Sequence, residues 1–164
     1  MKKKEISTRN YITAFLISVF TIILTFSIAN YYKNWLDYKN ENVMSSFLSE
    51  IKLEEFNNFI IENHDIMIYT VDEKNTESSD LQKKVKKIIT KNNFTKDIVV
   101  LDISDYKNET ENLKQYMDPQ VLQTDITENC LLILKNGKIV QIYQVDNDAK
   151  NLKKYIMDNF YGVE

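Results

Sequence analysis

Of the residue types that do covalent or acid–base chemistry, this chain of 164 residues offers one cysteine, Cys130, and one histidine, His64. A lone thiol can enter a mixed disulfide with a partner, but it forms no intramolecular disulfide and no cysteine-based metal cluster. The following Leu131-Leu132-Ile133-Leu134 favours the plainer reading, a small buried hydrophobe opening a core strand. His64 stands between Asn63 and Asp65, with no motif placing a serine or cysteine nucleophile beside it, so it reads as a turn histidine. Glu54-Glu55 and the acids from Asp72 to Asp80 lack EF-hand spacing and its glycine. They read as solvated surface, and neither a metal nor a cofactor is expected. Lys83, Lys84, Lys86, Lys87 and Lys91 read as the solvated face of one helix, although their sign also suits anionic lipid headgroups or wall polymers.

Where such groups work is set by the run from Asn10 to Tyr32, which carries no Asp, Glu, Lys, Arg or His. A helix needs about 20 apolar residues to cross the hydrocarbon core, and this run is long enough. Lys2, Lys3, Lys4 and Arg9 precede it, while Lys33 and Lys39 follow, so the positive-inside rule keeps the N-terminus in the cytoplasm. The expectation is a single-pass protein of the cell membrane, with its C-terminal domain extracytoplasmic. Two readings of the run stand. Ser27 and Ala29 offer the small residues of a signal peptide cleaved after Ala29. The length of the run, with Tyr31, Tyr32 and Trp35 at an aromatic-belt position, favours a retained signal-anchor. A type IV pilin leader is disfavoured, because no Gly precedes the run and no Glu sits near its start.

The expected organisation is a tail over 1–10, a membrane helix over 11–32, a connector over 33–50 and a domain over 51–164. With Lys2, Lys3, Lys4, Arg9 and Glu5 set aside, 17 lysines face 23 acids, a net charge of −6. Nucleic acid calls for a clustered basic face and is not expected as a partner. Lysine outnumbers arginine 20 to 1, a bias that AT-rich codons of a low-GC genome explain more simply than function does.

Two Gly and one Pro leave punctuation to Asn, Asp and Ser. In the connector, Trp35, Leu36, Val43, Met44, Phe47 and Leu48 are expected to be buried, with a first strand over Val43–Leu48. Leu53, Phe56, Phe59 and Ile60 recur at helical spacing within Ile51–Asn63. Ile66–Val71 reads as a buried strand and 72–79 as a loop. Ser79-Asp80-Leu81-Gln82 fits a capping box for a helix whose apolar face is Leu81, Val85, Ile88 and Ile89. Ile98–Ile103 is the next strand, and a short helix through Leu113, Tyr116 and Met117 stops before Pro119. Cys130–Lys135, Asn136-Gly137 and Lys138–Tyr143 form a β-hairpin with a type I′ turn, apolar on both faces near its middle. A last helix runs from about Asp148 to Phe160. The order predicts an α/β domain with a mixed sheet and helices on both faces.

From about Val43 to Tyr161 this organisation resembles the thioredoxin-like superfamily, whose C-terminal hairpin is similar to Leu131-Leu132-Ile133-Leu134-Lys135-Asn136-Gly137-Lys138. In overall plan it resembles the small membrane-anchored proteins grouped with bacteriocin-transport accessory proteins of low-GC Gram-positive bacteria. The resemblance implies a pair of cysteines two residues apart at a helix N-terminus, where the dipole lowers the attacking thiol's pKa. The corresponding stretch here is Asp72 to Ser79, which has no cysteine in any register. The resemblance also implies a cis-proline before the hairpin. That position falls on Asn129, where a trans peptide is the default.

The sequence therefore predicts a tethered binding or assembly module without thiol–disulfide exchange. Its groove would be lined by Asn75, Thr76, Glu77, Ser78, Asn129 and Cys130, holding an extended segment by strand addition. By resemblance the partner is an export or envelope protein. The alternatives are a single-cysteine oxidoreductase using Cys130 and a structural subunit of a membrane export apparatus, with Ser18, Thr21, Thr25 and Ser27 on its packing face.

Overall fold

The computed structural model describes residues 8–39, 43–105 and 110–162. The basic residues Lys2, Lys3 and Lys4 lie outside them. The chain divides at residue 40 into two units.

The first unit is one helix, α1 (Thr8–Lys39), long and apolar enough over Thr8–Leu36 to cross a membrane. It is apolar all round rather than striped, with Phe15, Phe20 and Phe26 each exposed on the bare helix. Its hydroxyls are satisfied within the helix: Ser18 Oγ donates to Ala14 O at 3.0 Å, Thr21 Oγ1 to Ile17 O at 2.8 Å and Thr25 Oγ1 to Thr21 O at 2.9 Å. Such back-bonding removes the cost of a bare hydroxyl in hydrocarbon. The helix runs on past residue 32, so Trp35 and Leu36 are exposed helical residues and not buried connector contacts.

The second unit holds a five-stranded sheet in the order β1 (Glu50–Ile51), β3 (Ile98–Asp102), β2 (Ile66–Val71), β4 (Cys130–Lys135), β5 (Lys138–Gln144). The first three strands are parallel, β4 is antiparallel to β2, and β5 is antiparallel to β4. β2 is buried at every position, with Met67, Tyr69 and Val71 on one face and Ile66 and Ile68 on the other. Two-sided burial is what layers of helix on both faces produce. α3 (Ser79–Lys91) and α4 (Leu152–Ile156) cover the first face through Val85, Ile89, Leu152 and Ile156. α2 (Phe56–Glu62) and a 3₁₀ segment (Thr110–Tyr116) cover the second through Phe56, Ile60 and Leu113. A π-helical turn over Met157–Tyr161 prolongs α4.

The hairpin turn is as expected. Asn136 and Gly137 have φ of 53° and 72°, the two positive values that a type I′ turn needs. The turn is docked on the α2–β2 corner, where Asp65 Oδ1 accepts from Asn136 N at 2.9 Å and His64 O from Gly137 N at 3.0 Å. His64 thus acts through its backbone.

Two further expectations fail. Val43–Leu48 is a run of turns closed by Leu48 N donating to Met44 O at 2.8 Å, and the edge strand is the two-residue β1 beyond it. The buried Val43 and Met44 look like a strand pattern, but a coiled turn buries them equally well. The capping box at Ser79 is also absent. A 3₁₀ turn over Thr76–Ser78 leads into α3, and Asn75 caps it by accepting from Glu77 N at 3.1 Å. Ser79 becomes the first residue of α3, and its buried Oγ has no hydrogen-bond partner among the described residues.

Candidate functional site

The C-terminal end of β2, the turn into α3 and the loop before β4 meet at one place. β2 ends there because Asp72 turns the chain, its Oδ1 accepting from Lys74 N at 3.1 Å and its carbonyl from Asn75 N at 3.0 Å. The loop is fixed to β2 by Thr70. Its Oγ1 donates to Thr127 O at 2.6 Å and accepts from Cys130 N at 2.9 Å, while Thr70 O accepts from Asn129 N at 2.8 Å.

Asn129, at the position the resemblance gives to the cis-proline, takes the left-handed conformation with φ 59°. Asparagine tolerates that region better than other non-glycine residues. Its side chain is buried and fully engaged: Oδ1 accepts from Tyr69 Oη at 2.8 Å, and Nδ2 donates to Ser78 Oγ at 3.1 Å. Glu128 completes the network, its two carboxylate oxygens accepting from Asn75 Nδ2 at 2.7 Å and Ser78 Oγ at 3.0 Å. Asn75 and Ser78, two residues apart at the start of α3, are therefore clamped by one carboxylate. An anion beside the first turn of a helix is also favoured by the helix dipole. Burial pushes the Tyr69 phenol well above the usual tyrosine range, and Cys130 and Glu128 nearby push the same way. Tyr69 is a neutral donor at any physiological pH.

Above the network lies an open cleft of about 420 Å³ lined by Asn75, Glu77, Ser78, Asn129, Gln144 and Asn147, among others. Four of the six residues predicted for the groove line it. Thr76 is exposed but not in the lining, and Cys130 is absent from it. The Cys130 side chain packs on the α2 face, 1% exposed, with Sγ donating to Gln144 Oε1 at 2.9 Å. Tyr69, Thr70 and Gln144 were not legible as site residues. The one sequence signal was polarity, a Tyr-Thr pair inside an otherwise aliphatic strand.

The loop has little main chain left for strand addition. Thr127 O is taken by Thr70, Glu128 O accepts from Gln144 Nε2 at 3.0 Å, and Asn129 O accepts from Val145 N at 3.0 Å. What the cleft presents is side chains: amides from Asn75, Gln144 and Asn147, and carboxylates from Glu77 and Glu128.

The class that these elements define is an α/β domain built on a five-stranded mixed sheet and following an apolar helix, with a polar clamp at the head of α3. No family model and no curated protein matches the chain. Among solved structures it is similar to mitochondrial thioredoxin 3 of Saccharomyces cerevisiae in its oxidized form, at 18% identity and a TM-score of 0.46, over 71% of this chain and 99% of that one.

Proposed function

We propose that the protein is a single-pass membrane protein whose extracytoplasmic domain is a non-redox binding module, holding a segment of a partner in the cleft at the head of α3. The observation that carries this reading is the clamp itself. Asn75 and Ser78 occupy the spacing of a redox pair, and both spend their side chains on Glu128. That leaves an ordered, carboxylate-bearing cleft with no cysteine in its lining. Recognition then runs through side chains, and the acceptors supplied by Glu77 and Glu128 suit a basic or amide-rich segment. By resemblance the partner is a component of an export or envelope assembly in the same membrane.

Co-purification from mild detergent tests this. Glu77 is exposed and enters the network only through its backbone N–H, so Glu77→Arg alters the cleft without breaking the clamp. The same partner should be recovered with wild type and lost with Glu77→Arg, at unchanged expression. Equal recovery with both would overturn the assignment of the cleft.

A further inference from the structure

The two helical layers of the domain carry opposite charge. α3 and the α4 segment through Tyr161 hold seven lysines (Lys83, Lys84, Lys86, Lys87, Lys91, Lys153 and Lys154) against Asp80 and Asp158. On the other layer, Leu53–Glu62 carries Glu54, Glu55 and Glu62 and no lysine, and Thr110–Tyr116 pairs Glu111 with Lys114 at 2.8 Å. In a domain that is acidic overall, this separation is not a by-product of composition.

The lysines of α3 also share one ridge. Gln82, Val85 and Ile89 face the sheet, which places Lys84, Lys87 and Lys91 on the opposite side at i, i+3 and i+7, with Lys83 beside Lys87. Lys87 and Lys91 are exposed, as are Lys153 and Lys154 on the neighbouring helix. Lys86 is directed elsewhere, its Nζ 5.1 Å from the Phe47 ring centroid, and Lys84 bonds Asn147 O at 2.9 Å.

We propose that this ridge docks on an anionic phospholipid surface, the surface of the bilayer that holds α1. The inference rests on the reading of α1 as a retained membrane helix. Charge complementarity supports it, since lysines within a Debye length of an anionic headgroup layer are attracted while acids on the far layer are screened. The chain supports it too. Only residues 40–42 separate the end of α1 at Lys39 from Val43, so lipid is the surface this domain meets at the highest effective concentration. Docking through α3 leaves the cleft at that helix's N-terminus on the rim of the contact, where a partner in the same membrane reaches it.

The test uses the full chain in vesicles of phosphatidylcholine alone or with about one third phosphatidylglycerol. A fluorophore is placed by Thr90→Cys on the exposed side of α3 or by Asn58→Cys on α2, and a headgroup-borne lipid quencher reports proximity. Expected is quenching of the Thr90→Cys label at least threefold stronger in the anionic vesicles, lost at about 0.5 M salt, with the Asn58→Cys label unaffected. The charge reversals Lys83→Glu, Lys87→Glu and Lys91→Glu together should abolish the difference. Equal quenching in both lipids, or equal quenching of both labels, overturns the docking. So does retention of the domain on a soluble polyanion without quenching, which would assign the ridge to a free polymer. Flotation after alkaline carbonate reports the anchor separately: a chain that fails to float removes the anchor and this inference together, and a chain that floats unquenched removes only the docking.

Discussion

The Asn129 side chain ties β2 to the head of α3, and its removal has a cost that can be worked from its contacts. In Asn129→Ala the buried Tyr69 hydroxyl loses its acceptor, a penalty of about 1–3 kcal/mol for an orphaned buried donor. Alanine at φ 59° adds about 1 kcal/mol of left-handed strain over asparagine. Ser78 keeps Glu128 as its acceptor, so it adds little. The expected loss is about 2–4 kcal/mol for alanine and about 1 kcal/mol less for Asn129→Gly, which removes the strain but not the orphan. Pairing Asn129→Gly with Tyr69→Phe removes both partners, and the double variant should recover about 1–2 kcal/mol relative to the sum of the singles. Urea unfolding of the full chain in detergent micelles, followed by resistance to brief proteolysis, reads these differences. With a slope of about 1.5 kcal/mol per molar, alanine lowers the midpoint by about 1–2.5 M. Equal midpoints for alanine and glycine would refute the strain argument, and strict additivity with Tyr69→Phe would refute the Tyr69–Asn129 bond.

Three further outcomes follow from the same structure. Tyr69 has its pKa raised above 10.0 by burial, so its contribution is complete below about pH 10 and is lost as pH rises beyond that. The urea midpoint should therefore fall above about pH 10, with Tyr69 contributing a slope near 1.4 kcal/mol per pH unit, and Tyr69→Phe should reduce the fall by that contribution. Gly137→Ala meets Ile60 O at 3.5 Å and His64 Nδ1 at 4.0 Å, ordinary contacts, so its cost is the left-handed strain at φ 72°, about 1 kcal/mol in the same unfolding assay. Native Cys130, 1% exposed and bonded to Gln144, should resist a maleimide until urea unfolds the domain, and rapid labelling of the folded chain would contradict its burial.

The sheet was legible where local chemistry is unambiguous. Asn136-Gly137 can supply two positive φ angles cheaply, so the hairpin followed directly, but not the irregularity that shifts its register between Ile133 and Leu134. Ile66–Val71 and Ile98–Asp102 are β-rich, mostly apolar runs too short for a buried helix. β1 was not legible, because two residues carry no period and the turns before it bury Val43, Met44 and Leu48 as a strand would. The start of α3 was misread for a related reason. A serine followed three residues later by glutamine satisfies a capping pattern, yet the cap is set four residues earlier by Asn75.

The site divides along the same line. Asn75, Ser78 and Asn129 could be located by counting from the hairpin and the helix. Tyr69 could not, since its bond to Asn129 spans 60 residues of chain. Cys130 was placed near the groove by adjacency to Asn129, but residues alternate across a strand, and its side chain points to the other face of the sheet.

A photo-crosslinking amino acid introduced in living cells at single positions of the full chain tests the central claim most directly. Asn147 lines the cleft and Thr76 stands exposed at its edge, whereas Asn58 is exposed on the opposite helical layer. The account predicts a discrete adduct from positions 147 and 76, none from position 58, and loss of the adduct when Glu77→Arg is added. An adduct from position 58 of equal strength, or cleft adducts indifferent to Glu77→Arg, would contradict it.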